Sequence, residues 1–480
     1  MSSAFQSFKP HSEPFPRLSD SYKYTHDRQY EPGTTLVEAY WESRGGAFPA
    51  SVFFGLQYQL KSIFTQRVTK GDVSEARDMA NAHFGRDLFN LHGWNNIVDN
   101  HGGYLPLEIS AVPEGSVVPT HNAMIYIKNT DNRLPNPSFW LPNFSETVLS
   151  QNWSPTTVAT LSRHCLRVIR KYREMTGGLA GLQFALHDFG FRGVSSIETA
   201  KISGLAHMVN FMGTDTFAAL WQGKDYYKIP CAGFSIPASE HSTITSWTKT
   251  REYDAFKNML TQYPEGLVAC VSDSYDLMAA CDAWGTDPLK SLILARPGTL
   301  VVRPDSGDPV STVLATIERL GSHFGFVVNS EGYKELPPQI RMIQGDGVNP
   351  ESIEDILKTL MEHGWSATNL AFGMGGALLQ KVDRDTQKFA FKACYTEVNG
   401  VGRDVFKDPV TDHGKRSKSG QLILIEPKLN DRQTVRRDDY PNERNLLRPV
   451  FRNGELLIDY SFDQIRTRVN DEEALFWRND

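Results

Sequence analysis

The chain has 480 residues, of which 40% are hydrophobic and 22% charged, with a formal net charge of −6. This balance is ordinary for a globular protein and supplies no basic field for nucleic acid or an anionic membrane surface. No apolar run approaches the roughly 20 residues of a membrane span.

The first 19 residues carry Ser and Pro, lack the apolar core of a signal peptide and read as a flexible lead. Residues 20–60 mix turn signals with the β-rich runs TTLVEAYWES and VFFGLQYQL, and 71–100 have a helical period. ISAVPEGSVVPTHNAMIYIKN (109–129) predicts two or three short strands broken by Pro and Gly. A long helix is predicted over 155–176, stopped by Gly177 and Gly178.

Between about residue 184 and residue 376 an apolar run stops seven times at a cluster of Gly, Asp, Arg or His, and a helix-like stretch follows. The ends are HDFGFRG, MGTDT, PASEH, SDSYD, RPDSG, QGDGVN and FGMGG. Such spacing fits strand–loop–helix units, whose strand C-termini point to one side and converge their polar residues on one pocket. An irregular seven-unit α/β barrel over 181–394 is therefore expected. A second, mixed α+β domain is expected from 20–180 and 395–480, and a doubly wound open sheet is the alternative to the barrel. The five cysteines (165, 231, 270, 281 and 394) are scattered, which points to a reducing, cytoplasmic setting and not to a disulfide frame or structural zinc. Cys270, inside LVACV, is expected in the core.

The strand ends carry the chemistry. RPDSGDP leads an apolar strand into Arg303 and Asp305, and FGMGG places Gly375 and Gly376 ahead of a helix, where backbone N–H groups can meet an anion. GVGRDV lacks the third glycine of a dinucleotide fingerprint, and HGKRS is not a P-loop. Asp215, Asp273, Asp305 and Asp346 each stand at a strand end. One such Asp is ordinarily a helix cap, whereas four converging suit ribose hydroxyls and Mg²⁺-bridged phosphates. His241 in SIPASEHSTITSW divides evenly between a structural and a catalytic role. Phe189, leaving a strand beside Arg192, can face a flat ligand.

Ten ordered blocks cover nearly the whole chain: DSYKYTH, FFGLQYQL, HDFGFRGVSS, GTDT, EHSTIT, VSDSYD, RPDSGDP, QGDGV, GGALLQK, and VFKDP with KRSKSG. Together they resemble the nicotinamide phosphoribosyltransferases, a type II phosphoribosyltransferase family. The resemblance implies transfer of phosphoribose from 5-phosphoribosyl 1-pyrophosphate to nicotinamide, with Mg²⁺ carried mainly by the diphosphate. It implies a homodimer with its site at the subunit interface, in which nicotinamide stacks between Phe189 and Tyr22 of the other subunit. Asp215 would accept from the carboxamide and repel the carboxylate of nicotinic acid, with Arg192 near the carboxamide or a phosphate. The sugar and its phosphates would fall to Arg303, Asp305, Asp273, Gly345, Asp346, Gly375 and Gly376. A phosphate channel would use Arg44, Lys381, Arg384, Lys392, Lys407 and Lys415. ATP, as co-substrate, would phosphorylate His241. Met374, Ala377, a short stretch at 222–230 and the N-terminal tail depart from the family pattern.

Three rival readings remain. A nicotinate phosphoribosyltransferase would want a cationic or neutral partner at Asp215. A barrel aldolase or isomerase would need a strand-end Lys or base, and no Lys occupies the seven clusters. A non-enzymatic binding protein would leave the acids and His241 without a task.

Overall fold

A computed structural model describes residues 8–411, 416–429, 431–441 and 443–476, so Lys415 lies outside the described residues. The chain divides into two compact units, one of residues 1–160, 222–230 and 383–480 and the other of 161–221 and 231–382.

In the first unit TTLVEAYWES forms a ten-residue strand, Thr34–Ser43, buried along nearly all its length. It pairs antiparallel with Phe389–Val398 on one side and Ala123–Asn129 on the other, within a seven-stranded sheet. Continuous burial without alternation means that both faces of this strand are covered. Trp41 stacks on Phe389 with ring centroids 4.5 Å apart and planes at 4°. Each such buried side chain contributes about 1.5–3 kcal/mol. The predicted strands of 109–129 form Leu107–Ala111, Val117–Pro119 and Ala123–Asn129. The helical period of 71–100 forms Lys70–Phe84, opened by a Thr69–Asp72 capping box, and Leu91–Asn100. Phe15, from the N-terminal segment, packs against Phe64 and Phe144 at centroid distances of 5.3 and 5.7 Å.

The predicted long helix runs over Trp153–Thr176. The second unit is built on six parallel strands: β1 (Leu186–Asp188), β2 (Gly213–Thr214), β3 (Gly266–Val271), β4 (Gly298–Arg303), β5 (Ile340–Gln344) and β6 (Leu370–Met374). Their order is β2-β1-β6-β5-β4-β3. The seventh apolar run, residues 234–238, forms no ladder of its own. It makes parallel bridges to both edges, Phe234 to Gly213 of β2 and Ala238 to Ala269 of β3. Four backbone bonds of 2.7–3.0 Å hold it there. The expected seven-unit α/β barrel is thus a curled six-stranded parallel sheet whose edges one bridging segment joins.

Side-chain alternation sorts the two faces. Ala269, Val301 and Ile343 cluster with Phe189, Ile236 and Ala371. The intervening Val268, Cys270, Leu300, Val302 and Met342 are fully buried. Burial pushes the Cys270 thiol up to about 12, so it packs as a small apolar group. A polar residue caps the helix that follows β1, β3, β4 and β5, where Ser196, Asp276, Asp308 and Asn349 each accept from a backbone N–H of the helix they precede. Asp308 accepts from Ser311 N–H at 2.9 Å ahead of Pro309, and Asn349 accepts from Ser352 N–H at 2.9 Å ahead of Pro350. The same grammar that starts these helices leaves the strand ends polar.

Candidate active site

The site of the second unit is assembled from strand ends. Phe189 follows β1 and its N–H donates to Met374 O at 3.0 Å, which ties the turn to the end of β6. Its ring lies against Gly373, and a Cβ on Gly345 would be 3.8 Å from Phe189 Cε2. Gly375 and Gly376 make the next turn, where Gly376 O accepts from the N–H groups of Gln380 and Lys381 at 2.9 and 2.8 Å. Arg192 and Lys381 are exposed.

Asp215 follows β2 and is exposed; its Oδ1 accepts a short hydrogen bond from Ser235 Oγ, on the bridging segment. Ser235 was not singled out by sequence reasoning, because one Ser in SIPASEH carries no spacing signal. Burial pushes the His187 imidazole, just below on β1, under its ordinary value, with the charge of Asp215 opposing.

His241 opens the helix His241–Thr245. Its Nε2 lies 3.4 Å from Asp305 Oδ2 and 3.7 Å from Asp273 Oδ1, and its Nδ1 is 3.2 Å from Ser274 Oγ. The side chain is 45% exposed, so solvent and ligands reach it. Asp273 Oδ2 accepts from Asp305 N–H at 2.9 Å and from Ser306 Oγ at 2.5 Å, while Asp273 Oδ1 is buried without a hydrogen-bond partner. Arg303 Nε stands 3.8 Å from Asp305 Oδ1. Burial raises the Asp305 carboxyl, with Arg303 and His241 opposing and Asp273 and the exposed Asp346 adding to the rise. Gly345 passes so close that a Cβ would be 2.8 Å from Asp305 Oδ1. Gly307 takes a φ of +88°, which an L side chain would strain. Phe189, His241, Asp273, Arg303, Asp305, Gly345 and Asp346 are therefore brought together.

The first unit gathers a separate set. Lys392 is depressed by burial first, then by Arg44, Lys407 and Arg384, with Glu146 opposing. Those four cations are therefore neighbours. Glu42, 2% exposed, holds Arg44 Nε at 3.0 Å and Lys418 Nζ at 2.6 Å on its two oxygens. Lys418 is a further cation of this cluster that sequence reasoning passed over; its pairing with Glu42 across 376 positions leaves no local signal. Tyr22 is 58% exposed, beside Lys23, whose buried ammonium binds Glu146 at 2.7 Å. No group of three or more His, Cys, Asp or Glu among the described residues is arranged to hold a metal ion. None of the described helices is long and apolar enough to cross a membrane.

Residues 184–455 match the model of the nicotinate phosphoribosyltransferase (NAPRTase) family, and residues 16–109 match the nicotinamide phosphoribosyltransferase N-terminal domain. The chain belongs to the nicotinate phosphoribosyltransferase family. That makes it an enzyme of the pentosyltransferase class. As a member of this family it is 46% identical over 462 residues to a nicotinamide phosphoribosyltransferase of Xanthomonas campestris pv. campestris (strain 8004), covering 94% of this chain and 97% of the relative. It is 32% identical to the protein of that name from Acinetobacter baylyi, with 94% and 96% covered. The crystal structure of nicotinate-nucleotide pyrophosphorylase from Pyrococcus furiosus superposes with a TM-score of 0.56 at 14% identity, covering 96% of this chain and 95% of that one. Human nicotinic acid phosphoribosyltransferase gives 0.54 at 15%, covering 96% and 94%. At such identities these structures show a shared fold alone.

Proposed function

We propose that this protein is a nicotinamide phosphoribosyltransferase of NAD biosynthesis, converting nicotinamide and 5-phosphoribosyl 1-pyrophosphate to nicotinamide mononucleotide and pyrophosphate. The observation that carries the choice of base is the Asp215–Ser235 pair. Ser235 occupies Asp215 Oδ1 and fixes the carboxylate, leaving Oδ2 for a carboxamide NH₂. The same charge repels nicotinic acid, so one residue supplies both attraction and exclusion. Relatives of that name along almost the whole chain support the reading.

The chemistry follows from the charges. The pyridine nitrogen forms a bond to ribose C1 as the C1–O bond breaks and pyrophosphate leaves with the electron pair. Positive charge grows on the sugar, and the site must hold the three reacting parts in line. Phe189 stacks the ring and Asp215 sets its rotation. Asp305 and Asp346 face the ribose hydroxyls, while Arg303 and the turns at Gly345, Gly375 and Gly376 meet phosphate. Arg44, Arg384, Lys392 and Lys407 serve a phosphate channel. Asp273 Oδ1, buried and without a hydrogen-bond partner, would be available toward a diphosphate-bound Mg²⁺, with Asp305 beside it. Mg²⁺ would supply charge neutralisation of the leaving group.

ATP hydrolysis is coupled to turnover through a phosphorylated His241. In support, its Nε2 is flanked by two carboxylates and its side chain is reachable from solvent. The active unit is a cytoplasmic homodimer in which the exposed Tyr22 is offered to the nicotinamide site of a second copy. The test is product formation from phosphoribosyl pyrophosphate and Mg²⁺ with nicotinamide and nicotinic acid in parallel, each with and without ATP. Selective formation of nicotinamide mononucleotide, faster with ATP, is the expected result. Turnover of nicotinic acid alone would keep the fold and overturn the role of Asp215.

A further inference from the structure

Asp188 touches none of the space assigned to substrate, yet it is the residue on which two parts of that space hang. It ends β1 and is 0% exposed. Its Oδ1 accepts from Gly190 N–H at 2.7 Å, closing the turn that carries Phe189. Its backbone O accepts from Asp215 N–H at 2.9 Å, so the same residue anchors the end of β2. Its Oδ2 lies beside Thr216, next after Asp215, and both face Gly204 of the helix Ile197–His207. A Cβ on Gly204 would be 3.2 Å from Asp188 Oδ2 and 3.0 Å from Thr216 Cγ2. Oδ2 and Thr216 Oγ1 are buried and neither completes a hydrogen bond, although the hydroxyl is near enough to favour the ionised carboxylate.

A buried carboxylate is costly to desolvate unless it is compensated by hydrogen bonds or an opposite charge. Burial lifts Asp188 to about 6, against the Thr216 hydroxyl and the Gly190 N–H, with Asp215 adding to the rise. An apolar residue would avoid that cost at this position but could not hold Gly190 N–H. We propose that Asp188 is a positioning residue of the nicotinamide site, setting the spacing between the ring of Phe189 and the carboxylate of Asp215. Nicotinamide is rigid and planar, so its stacking face and its amide must be met at a fixed separation by groups from two different strand ends. Such constellations tolerate displacements of only about 0.5 Å. This role rests on the function proposed above.

Steady-state kinetics of Asp188→Ala, Asp188→Asn and Thr216→Val, with the wild type alongside, test it. Asp188→Ala is expected to raise KM for nicotinamide about tenfold or more and to leave KM for phosphoribosyl pyrophosphate within about twofold. Asp188→Asn keeps an acceptor for Gly190 N–H and offers an NH₂ to Thr216 Oγ1, so it restores the nicotinamide KM to within about threefold of wild type. Thr216→Val, which keeps shape and removes the hydroxyl, shows the same selective rise in weaker form and stands in should Asp188→Ala fail to fold. Equal shifts in both KM values, an unchanged nicotinamide KM, or an Asn variant no better than Ala would overturn the positioning role. A wild-type protein that makes no nicotinamide mononucleotide would instead overturn the function on which it rests.

Discussion

The ring of Phe189 occupies the space that any side chain at position 373 would need: a Cβ on Gly373 would stand 2.0 Å from Phe189 Cε2 and 2.2 Å from Cδ2. The glycine is on β6 and the phenylalanine follows β1, so two adjacent parallel strands share one slot. The missing side chain is what lets the aromatic lie over the end of the sheet.

Gly373→Ala should therefore evict the ring. The overpacking costs about 1–3 kcal/mol of stability. The lost stack, worth about 0.5–1.5 kcal/mol, raises KM for nicotinamide up to about tenfold. Thermal melting and initial-rate measurements read the two effects separately, and a variant with wild-type KM would show that Phe189 does not carry the base.

Asp215→Asn should narrow the preference for nicotinamide over nicotinic acid. Like charges about 4 Å apart repel by about 1–4 kcal/mol between water and a protein surface. Removing one of them should relax selectivity about fivefold or more. The ratio of kcat/KM for the two bases is the readout, and an unaltered ratio refutes the assignment.

His241→Ala should abolish ATP hydrolysis and weaken mononucleotide formation without erasing it, since the groups proposed to stack the base and bind phosphate remain. Phosphate release from ATP, followed beside mononucleotide formation, checks both halves. Full ATPase activity in the variant would exclude a phosphohistidine at this position.

Glu114 predicts a pH effect on stability that is independent of catalysis. It is fully buried in the first unit, where Oε1 accepts from the N–H groups of Gly55 and Gln57 at 3.1 and 2.6 Å. Burial raises its carboxyl from 4.5 to about 7, with those N–H groups and the Tyr227 hydroxyl opposing. Because the folded-state value exceeds the unfolded one, the folded protein keeps a proton that the unfolded chain releases across this window. Stability contributed by this group thus falls as pH rises from 4.5 to about 7. The full loss is about 3 kcal/mol at 1.36 kcal/mol per pH unit. Glu114→Gln, which preserves the acceptor, should gain on the wild type as pH rises from about 5 to about 8 in denaturant titrations. A constant difference between the two proteins across that range would contradict it.

The strand ends were legible because each strand–loop–helix unit needs a turn and a cap there, and Gly, Asp, Arg and His at those places stand out from apolar runs. His241, Asp273, Arg303, Asp305 and Asp346 were visible for that reason. Ser235, Asp188 and Lys418 were not. Ser235 acts through a partner on another segment, Asp188 looks like an ordinary turn aspartate until its burial is known, and Lys418 meets Glu42 only in three dimensions. Glu42 and Glu38 sit in a run that reads as a strand with polar positions. Burial on both faces comes from the elements packed above and below the sheet, and no local pattern encodes that. The seven-unit repeat was readable from spacing, but not the absence of a ladder along residues 234–238, since the apolar run there looks like the other six.

That seventh run delivers Ser235 and, three residues past its end, His241, while gripping its neighbours by a few backbone bonds at its two ends. Amide hydrogens there should exchange with solvent well before those of β4 or β5, because little pairing has to break for the segment to open. The stave that carries Ser235 and leads into His241 is laced more loosely than β4 or β5, so it can shift without unzipping the sheet.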